Sequence, residues 1–314
     1  MTQFSTKYKA HHVKIDSEHD GRRIDNFLSG QLKGVPKARL YKMLRKGEVR
    51  VNSARIKQDH RLKAGDDVRI PPSYVDKAKY QMKPSLVLQH LLENSILYED
   101  DTILALNKPA GMVVHSGSGQ SCGLIEVLRQ MRPDIPHLEL VHRLDKFTSG
   151  CLLVAKDHRI LRELHEALRN NRVEKIYLTL LKGRLKNKKI DVHLPLQRNV
   201  MRAGERMVQV NKGGKQAQSR FLLEKYYSNT SLVRAHLITG RTHQIRVHSA
   251  HIGHPVAGDV KYGDPEFNKQ MRKLGLRRLF LHAESIEFYS PSAGKQIKLK
   301  APLADELALV LKDL

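Results

Sequence analysis

Acidic residues, cysteines and long apolar runs are all scarce in this chain. Its 314 residues hold 32 Asp+Glu against 56 Lys+Arg, a formal charge of +24 with a pI near 10.0. The 40% apolar content still suffices for a packed core, so the charge excess points to a polyanionic partner, nucleic acid first. Two cysteines, Cys122 and Cys151, stand too far apart for a CxxC pair, which rules out a disulfide framework and a zinc ribbon. No segment approaches the ~18–20 apolar residues of a spanning helix, and no basic N-terminal stretch leads into an apolar signal core. The chain is therefore expected in the cytoplasm, off the membrane. Phosphate loops are missing as well. "SGSGQSCG" at 116–123 fits neither G-x-G-x-x-G nor G-x-x-x-x-G-K-[ST], and "GGK" at 213–215 has no Ser or Thr after it. Both read as loops. In "RTHQIRVHSAHIGH" the residues His243, His248, His251 and His254 cluster, but no carboxylate and no H-E-x-x-H accompanies them. Local hydrogen bonding or phosphate contact is the better reading, and no metal site is expected.

What the chain does contain falls into two regions. Residues 1–20 read as an N-terminal tail, of which 1–14 lack a clear period and form a loose end or a first strand. From Arg22 onward, Ile24, Phe27, Leu28 and Leu32 recur at helical spacing, predicting a helix that ends near Gly34. "VPKARLYKMLRK" predicts a second helix with Pro36 in its first turn. On it Leu40, Tyr41, Met43 and Leu44 share one arc, and Arg39, Lys42, Arg45 and Lys46 the opposite one. "GEVRVNSARI" and "LKAGDDVRIPP" each combine a turn with a short strand. Residues 22–69 carry fourteen Lys+Arg and five Asp+Glu, a net of +9. A basic stripe is usually a solvated helix face. In a unit that concentrates the excess charge, RNA contact by Arg39, Lys42, Arg45 and Lys46 is the stronger reading. The unit spans 21–75, a linker follows at 76–90, and a second domain covers 91–314. There strands and helices interleave without regular βαβ spacing, which predicts an α+β fold with a mixed, largely antiparallel sheet.

Three stretches of the second domain carry candidate chemistry. "VHRLDKFTSG" places Asp145 between bases, just before "CLLVA", an apolar run that reads as a buried strand. A carboxylate at the mouth of such a strand has rigid support. In "VEKIYLTLLKG", Tyr177 and Thr179 share a face with Lys175, a semi-polar face where a ring could meet a ligand. "TGRTHQIRVHSAHIGHP" predicts a helix capped by Thr242, bearing Arg246 and ending at Gly253. Each piece alone has an ordinary explanation: a surface aspartate, a packing tyrosine, one arginine among many.

Together, and with "NKPAG" at 107–111, "HRLDKFTSG", "KIYLTL" and "GRTHQIRVH" resemble the RluA family of RNA pseudouridine synthases in order and type. Residues 21–72 resemble the small RNA-binding module named after ribosomal protein S four, the αL motif. Within the family, "KGVPKARLYKMLRKGEVRVN" and "KYGDPEFN…RLFLHA" are most similar to members that modify uridines in bacterial large-subunit ribosomal RNA. Phe147 and Cys151 depart from the commoner polar and aliphatic residues there. The resemblance implies an isomerase that breaks the uridine N1–C1′ bond and rejoins C5 to C1′, with no cofactor. It implies Asp145 as the catalytic carboxylate, Arg246 as its pairing cation and Tyr177 as the residue stacking on the base. Arg143 would occupy the space of a flipped base or hold the flipped strand, with Arg241 and His243 as further RNA contacts. The expected partner is large-subunit rRNA or its assembly precursor, bound by a monomer. An rRNA-binding assembly factor without catalysis and a metal-dependent nuclease using the histidines are the weaker alternatives.

Overall fold

The computed structural model describes residues 5–32, 35–76, 84–115, 123–202, 205–290 and 292–314. Its chain divides into two compact units, Met1–Pro84 and Ser85–Leu314. Among the described residues, no helix is long and apolar enough to cross a membrane.

In the first unit β1 (Ser5–Tyr8) and β2 (His11–Lys14) precede α1 (Ile24–Gln31) and α2 (Lys37–Lys46). Then come β3 (Arg50–Val51), β4 (Asp67–Ile70) and β5 (Ser73–Asp76). The described part of the N-terminal stretch is thus strand rather than loose tail: β1 pairs with β5, and β2 with β4. The apolar arcs of both helices face one core, where Ile24, Phe27, Leu28, Leu40, Met43 and Leu44 meet Val68 and Ile70. Helix α1 stops at Gln31; Gly34, the expected end, lies outside the described residues. Gly47 closes α2 in the left-handed region at φ 68°, as glycine permits. Asn52 and Ser53, at φ 48° and 64°, make the Asn-centred turn after β3. Arg39, Lys42, Arg45 and Lys46 are all exposed, and Arg39 pairs with Glu48 at 3.1 Å.

The second unit opens with α3 (Leu86–Glu93), so helix begins inside the stretch read as linker, of which 77–83 lie outside the described residues. It continues through β6 (Ile96–Glu99), β7 (Ile103–Lys108), α4 (Leu124–Met131), β8 (Glu139–Leu140), β9 (Ser149–Ala155) and α5 (His158–Arg169). After β10 (Glu174–Lys182) and β11 (Lys189–His193) a two-stranded ribbon projects, β12 (Leu196–Arg202) with β13 (Glu205–Val210). Last come β14 (Gln218–Tyr226), β15 (Thr230–Leu237), α6 (Gln244–His251), α7 (Pro265–Lys273), β16 (Leu281–Ser290), β17 (Lys295–Lys300) and α8 (Asp305–Lys312). The main sheet runs β11-β14-β15-β10-β16-β9-β7-β6, with β17 on β16 and β8 on β9. Every pairing is antiparallel except β16 with β9. The mixed, largely antiparallel α+β architecture is the one expected. Residues 116–122 of the glycine-rich stretch, with Cys122, lie outside the described residues.

Both faces of this sheet are covered. One packs Leu104, Leu152 and Val233 against α4 and Ile245 of α6. The other packs Ile103 and Leu153 against α5, and Leu178 and Leu180 against α7 and α8. This explains the unbroken apolar run of β9, every residue of which is buried. Its one parallel joint demands a glycine. A Cβ on Gly150, which has φ +110°, would lie 2.2 Å from the Ala283 carbonyl oxygen. The semi-polar face of β10 that carries Lys175, Tyr177 and Thr179 is buried as well.

Candidate active site

Asp145 lies in the connection from β8 to β9, and that connection is fastened from both sides. Upstream, Val141 N–H donates to the Leu153 carbonyl at 3.0 Å, while Leu153 N–H donates to His142 Nε2 at 3.1 Å. An imidazole thus stands in for a ladder carbonyl, and burial pushes it down to about 4, well below the usual histidine value. Downstream, the Lys146 carbonyl accepts from Gly111 N–H at 2.8 Å and from Lys108 Nζ at 3.2 Å. Lys108, fully buried, also donates to the carbonyls of Pro109 and Met112 at 2.8 and 2.9 Å. Burial lowers its ammonium to about 7, helped by the Arg278 charge and opposed by that of Asp145. The "NKPAG" segment therefore clamps the loop that presents Asp145.

Arg246 projects from α6, whose start the sequence read incorrectly. His243, not Thr242, occupies the N-cap position, at φ 54°, and no side chain caps from there. Gln244 does the fastening: its Oε1 accepts from Arg241 N–H and Thr239 Oγ1, and its Nε2 donates to Gln218 O and Ser219 Oγ, all at 2.8–2.9 Å. Gly253, at φ 82°, follows the last turn as expected. The Arg246 guanidinium donates through Nε and Nη2 to Asp259, both at 2.7 Å, and Nη1 reaches Asp145 Oδ2 at 3.5 Å. Asp259 is completely buried and also accepts Lys261 and Tyr262 N–H. Burial opposes its charge, but the bonds from Arg246 outweigh that and hold its carboxyl below the ordinary value. The same pairing, against burial, keeps the Arg246 charge secure.

Tyr177 sits in a socket on β10. Its neighbours across the sheet are Ala235 on β15 and Ala283 on β16, the smallest side chains that leave room for a ring. The register with β16 slips by one residue at Glu284, which sets Ala283 opposite Tyr177. Burial, reinforced by the nearby Asp145 charge, raises the phenol far above its usual value, so the ring stays a neutral hydroxyl.

The structure thus brings Asp145, Arg246 and His243 together, with Tyr177 close enough to feel the Asp145 charge. His243 Nε2 is 3.7 Å from Asp145 Oδ2, so this residue lies beside the carboxylate rather than on an open basic surface. Arg143 is exposed two residues away, and Arg241, also exposed, donates to Gln216 O at 3.0 Å. The other histidines go to separate partners: His248 to Ser219 and Leu194, His254 to Lys182. Among the described residues, the donor group tight enough for a metal is Asp16, Glu18 and His19, the two carboxylates exposed and the imidazole half-buried, with Asp16 already capping the following turn.

The sequence pattern of the RNA pseudouridylate synthases matches residues 102–251, and that of the S4 domain matches 22–68. The ribosomal large subunit pseudouridine synthase C of Escherichia coli K12 is 50% identical over 305 residues, covering 96% of this chain and 96% of its own. The chain belongs to the RNA pseudouridylate synthase family. The synthase C of Pasteurella multocida is likewise 50% identical, over 95% of this synthase and 92% of its own length. Human RNA pseudouridylate synthase domain containing 4 superposes with a TM-score of 0.60 at 26% identity, over 72% of this synthase and 95% of that chain. This synthase also holds site residues that the sequence reading passed over. Asp259 and Tyr262 lie in "GDVKYG", only partly inside the segment noted for its resemblance, and Lys108 lies in "NKPAG".

Proposed function

We propose that this synthase isomerises uridine to pseudouridine in large-subunit ribosomal RNA, with residues 91–314 doing the chemistry and residues 21–75 holding RNA. The observation that carries the reading is the Asp145 carboxylate at the rim of a buried strand, beside a guanidinium that Asp259 holds in place. Asp145 assists N1–C1′ cleavage by attacking the sugar or the base, or by removing a proton from C2′. The freed base turns, C5 bonds to C1′, the C5 hydrogen leaves and N1 gains a hydrogen, so no cofactor enters the balance. Arg246 keeps the carboxylate paired in a partly dry site. Tyr177 stacks on the base and acts as a neutral hydroxyl, not as a phenolate base. A uridine inside folded RNA reaches Asp145 only when flipped out, at a cost of about a few kcal/mol, and Arg143 fills the vacated space or holds the flipped strand. Arg241 and the α2 stripe of Arg39, Lys42, Arg45 and Lys46 add phosphate contacts. The same reading takes the enzyme as a monomer in the cytoplasm, acting on rRNA or an assembling subunit.

Tritium release from large-subunit rRNA labelled at uridine C5 tests it, with wild type beside Asp145→Ala and Asp145→Asn. Release by wild type alone, with RNA affinity unchanged in the variants, is expected. Turnover by either variant would remove Asp145 from its role. No release by any form, on free rRNA and on precursors, would favour a binding factor instead.

A further inference from the structure

Asp145 is approached by a line of hydrogen bonds that begins outside the catalytic loop. Val208, on β13 of the projecting ribbon, donates its backbone N–H to the Tyr262 hydroxyl oxygen at 3.0 Å. That oxygen lies 2.8 Å from His243 Nδ1, and the opposite ring nitrogen, Nε2, faces Asp145 Oδ2 at 3.7 Å. The Tyr262 oxygen accepts from Val208 and still carries its own hydrogen, which can be given to Nδ1. In that arrangement the imidazole carries its proton on Nε2. That N–H points at the carboxylate.

Two further observations fix the ring in this duty. His243 is held at φ 54°, a conformation a non-glycine residue adopts at some cost, yet its side chain makes no cap to α6. The Tyr262 ring also lies edge-on to the imidazole, centroids 5.5 Å apart, and 5.0 Å from the Arg246 guanidinium carbon. Tyr262 therefore touches both groups that face Asp145. Both of them face the same oxygen, Oδ2, whereas Oδ1 has no hydrogen bond among the described residues.

Resting on the proposed reaction, we propose that Tyr262 and His243 are positioning residues for Asp145. Tyr262 keeps the His243 proton on Nε2, and that N–H, with Arg246 Nη1, engages Oδ2 so that Oδ1 is the oxygen presented to uridine. A small closure of the ring toward Oδ2 makes the contact a charge-assisted bond. Because the line ends on Val208, the carboxylate's aim is tied to the seat of the ribbon.

The test combines ¹⁵N-histidine NMR with tritium release for wild type, Tyr262→Phe, His243→Ala, His243→Gln and the double variant Tyr262→Phe/His243→Ala. Wild type is expected to show His243 as the neutral form protonated on Nε2, and Tyr262→Phe to show a mixture of the two neutral forms. Tyr262→Phe should lower kcat about tenfold with KM and RNA affinity unchanged, as a slight misplacement of the reacting group does. His243→Gln, whose amide nitrogen reaches the Nε2 position, should recover most of the rate lost in His243→Ala. The double variant should be no slower than His243→Ala, because both act through one group. A His243 ring protonated on Nδ1 in wild type, an unchanged kcat in Tyr262→Phe, or losses that multiply in the double variant would each overturn the proposal. The NMR arm needs no substrate. Absence of tritium release by wild type would therefore overturn the proposed reaction without being confused with a wrong assignment of the ring.

Discussion

Arg246 gives Asp259 two hydrogen bonds of 2.7 Å and leaves Asp145 a single nitrogen at 3.5 Å. The guanidinium is thus committed to a buried carboxylate, and its remaining edge defines where Asp145 meets positive charge. Asp259→Asn keeps the shape but removes the fixed charge, freeing Arg246 to swing onto Asp145 and tie up the carboxylate. Breaking a buried pair from one side costs about 3 kcal/mol or more. A misplacement of about 1 Å at the reacting group costs about 100-fold in rate. The expected outcome is a lower melting temperature and a kcat reduced by roughly that factor, with rRNA affinity unchanged. A wild-type kcat in Asp259→Asn would show that Asp145 does not depend on how Arg246 is held.

Lys108 supports the same loop from beneath. Its ammonium answers three carbonyls in a site with no exposure, and one of them belongs to Lys146, next to Asp145. Lys108→Met fills the space but orphans all three acceptors, each worth about 1–3 kcal/mol when buried unsatisfied. Part of that is offset because the cost of burying the charge disappears. A net loss of about 3 kcal/mol is expected, together with a fall in kcat as the loop loses its anchor. Thermal melting and tritium release on the same preparations check both.

How much of this was readable beforehand follows from the range of each signal. The α2 stripe, the buried run of β9 and the glycine end of α6 are set by residues within a turn or a strand of one another, and periodicity exposes them. Asp259 is different: it lies thirteen residues beyond Arg246, across a loop with no period, and only the fold shows which arginine it takes. The Tyr177 socket depends on Ala235 and Ala283, each on another strand, and on a register slip that no local pattern announces. Thr242 misled because it has the right chemistry for a cap at the right place, while the Gln244 side chain satisfies those groups from inside the helix. The first strands were ambiguous because β1 and β2 find their partners some sixty residues on, near Asp67–Asp76.

His142 makes the catalytic loop sensitive to acid. Its folded value is near 4 because of burial, against about 6.5 in an unfolded chain, so between those values the unfolded chain binds the extra proton. The stabilising contribution is complete above pH ~6.5 and is lost as pH falls through that window toward 4. Protonated, Nε2 can no longer accept Leu153 N–H. Urea unfolding followed by circular dichroism at pH 7 and pH 4.5 should show wild type losing about 2 kcal/mol more than His142→Gln. The comparison between proteins cancels the carboxylates that titrate in both. Equal losses would mean that the loop's bond to β9 is not acid-labile.

The exposed face of α2 gives a prediction about salt rather than rate. Among the described residues, Arg39 already shares its charge with Glu48, whereas no carboxylate pairs with Lys42, Arg45 or Lys46 on that face. Each cation that neutralises a phosphate releases counterions, steepening the dependence of log Kd on log salt by about 0.7–0.9 per contact. Replacing all three residues by Ala should reduce that slope by about two to three. The residues point away from the core that α2 shares with α1, so melting should barely change. Nothing in the replacement touches Asp145, so kcat at saturating rRNA should stay at the wild-type level while KM rises with salt more gently. A salt slope unchanged by the triple replacement would mean that this face meets solvent rather than RNA, and that the chain's excess charge is spent elsewhere.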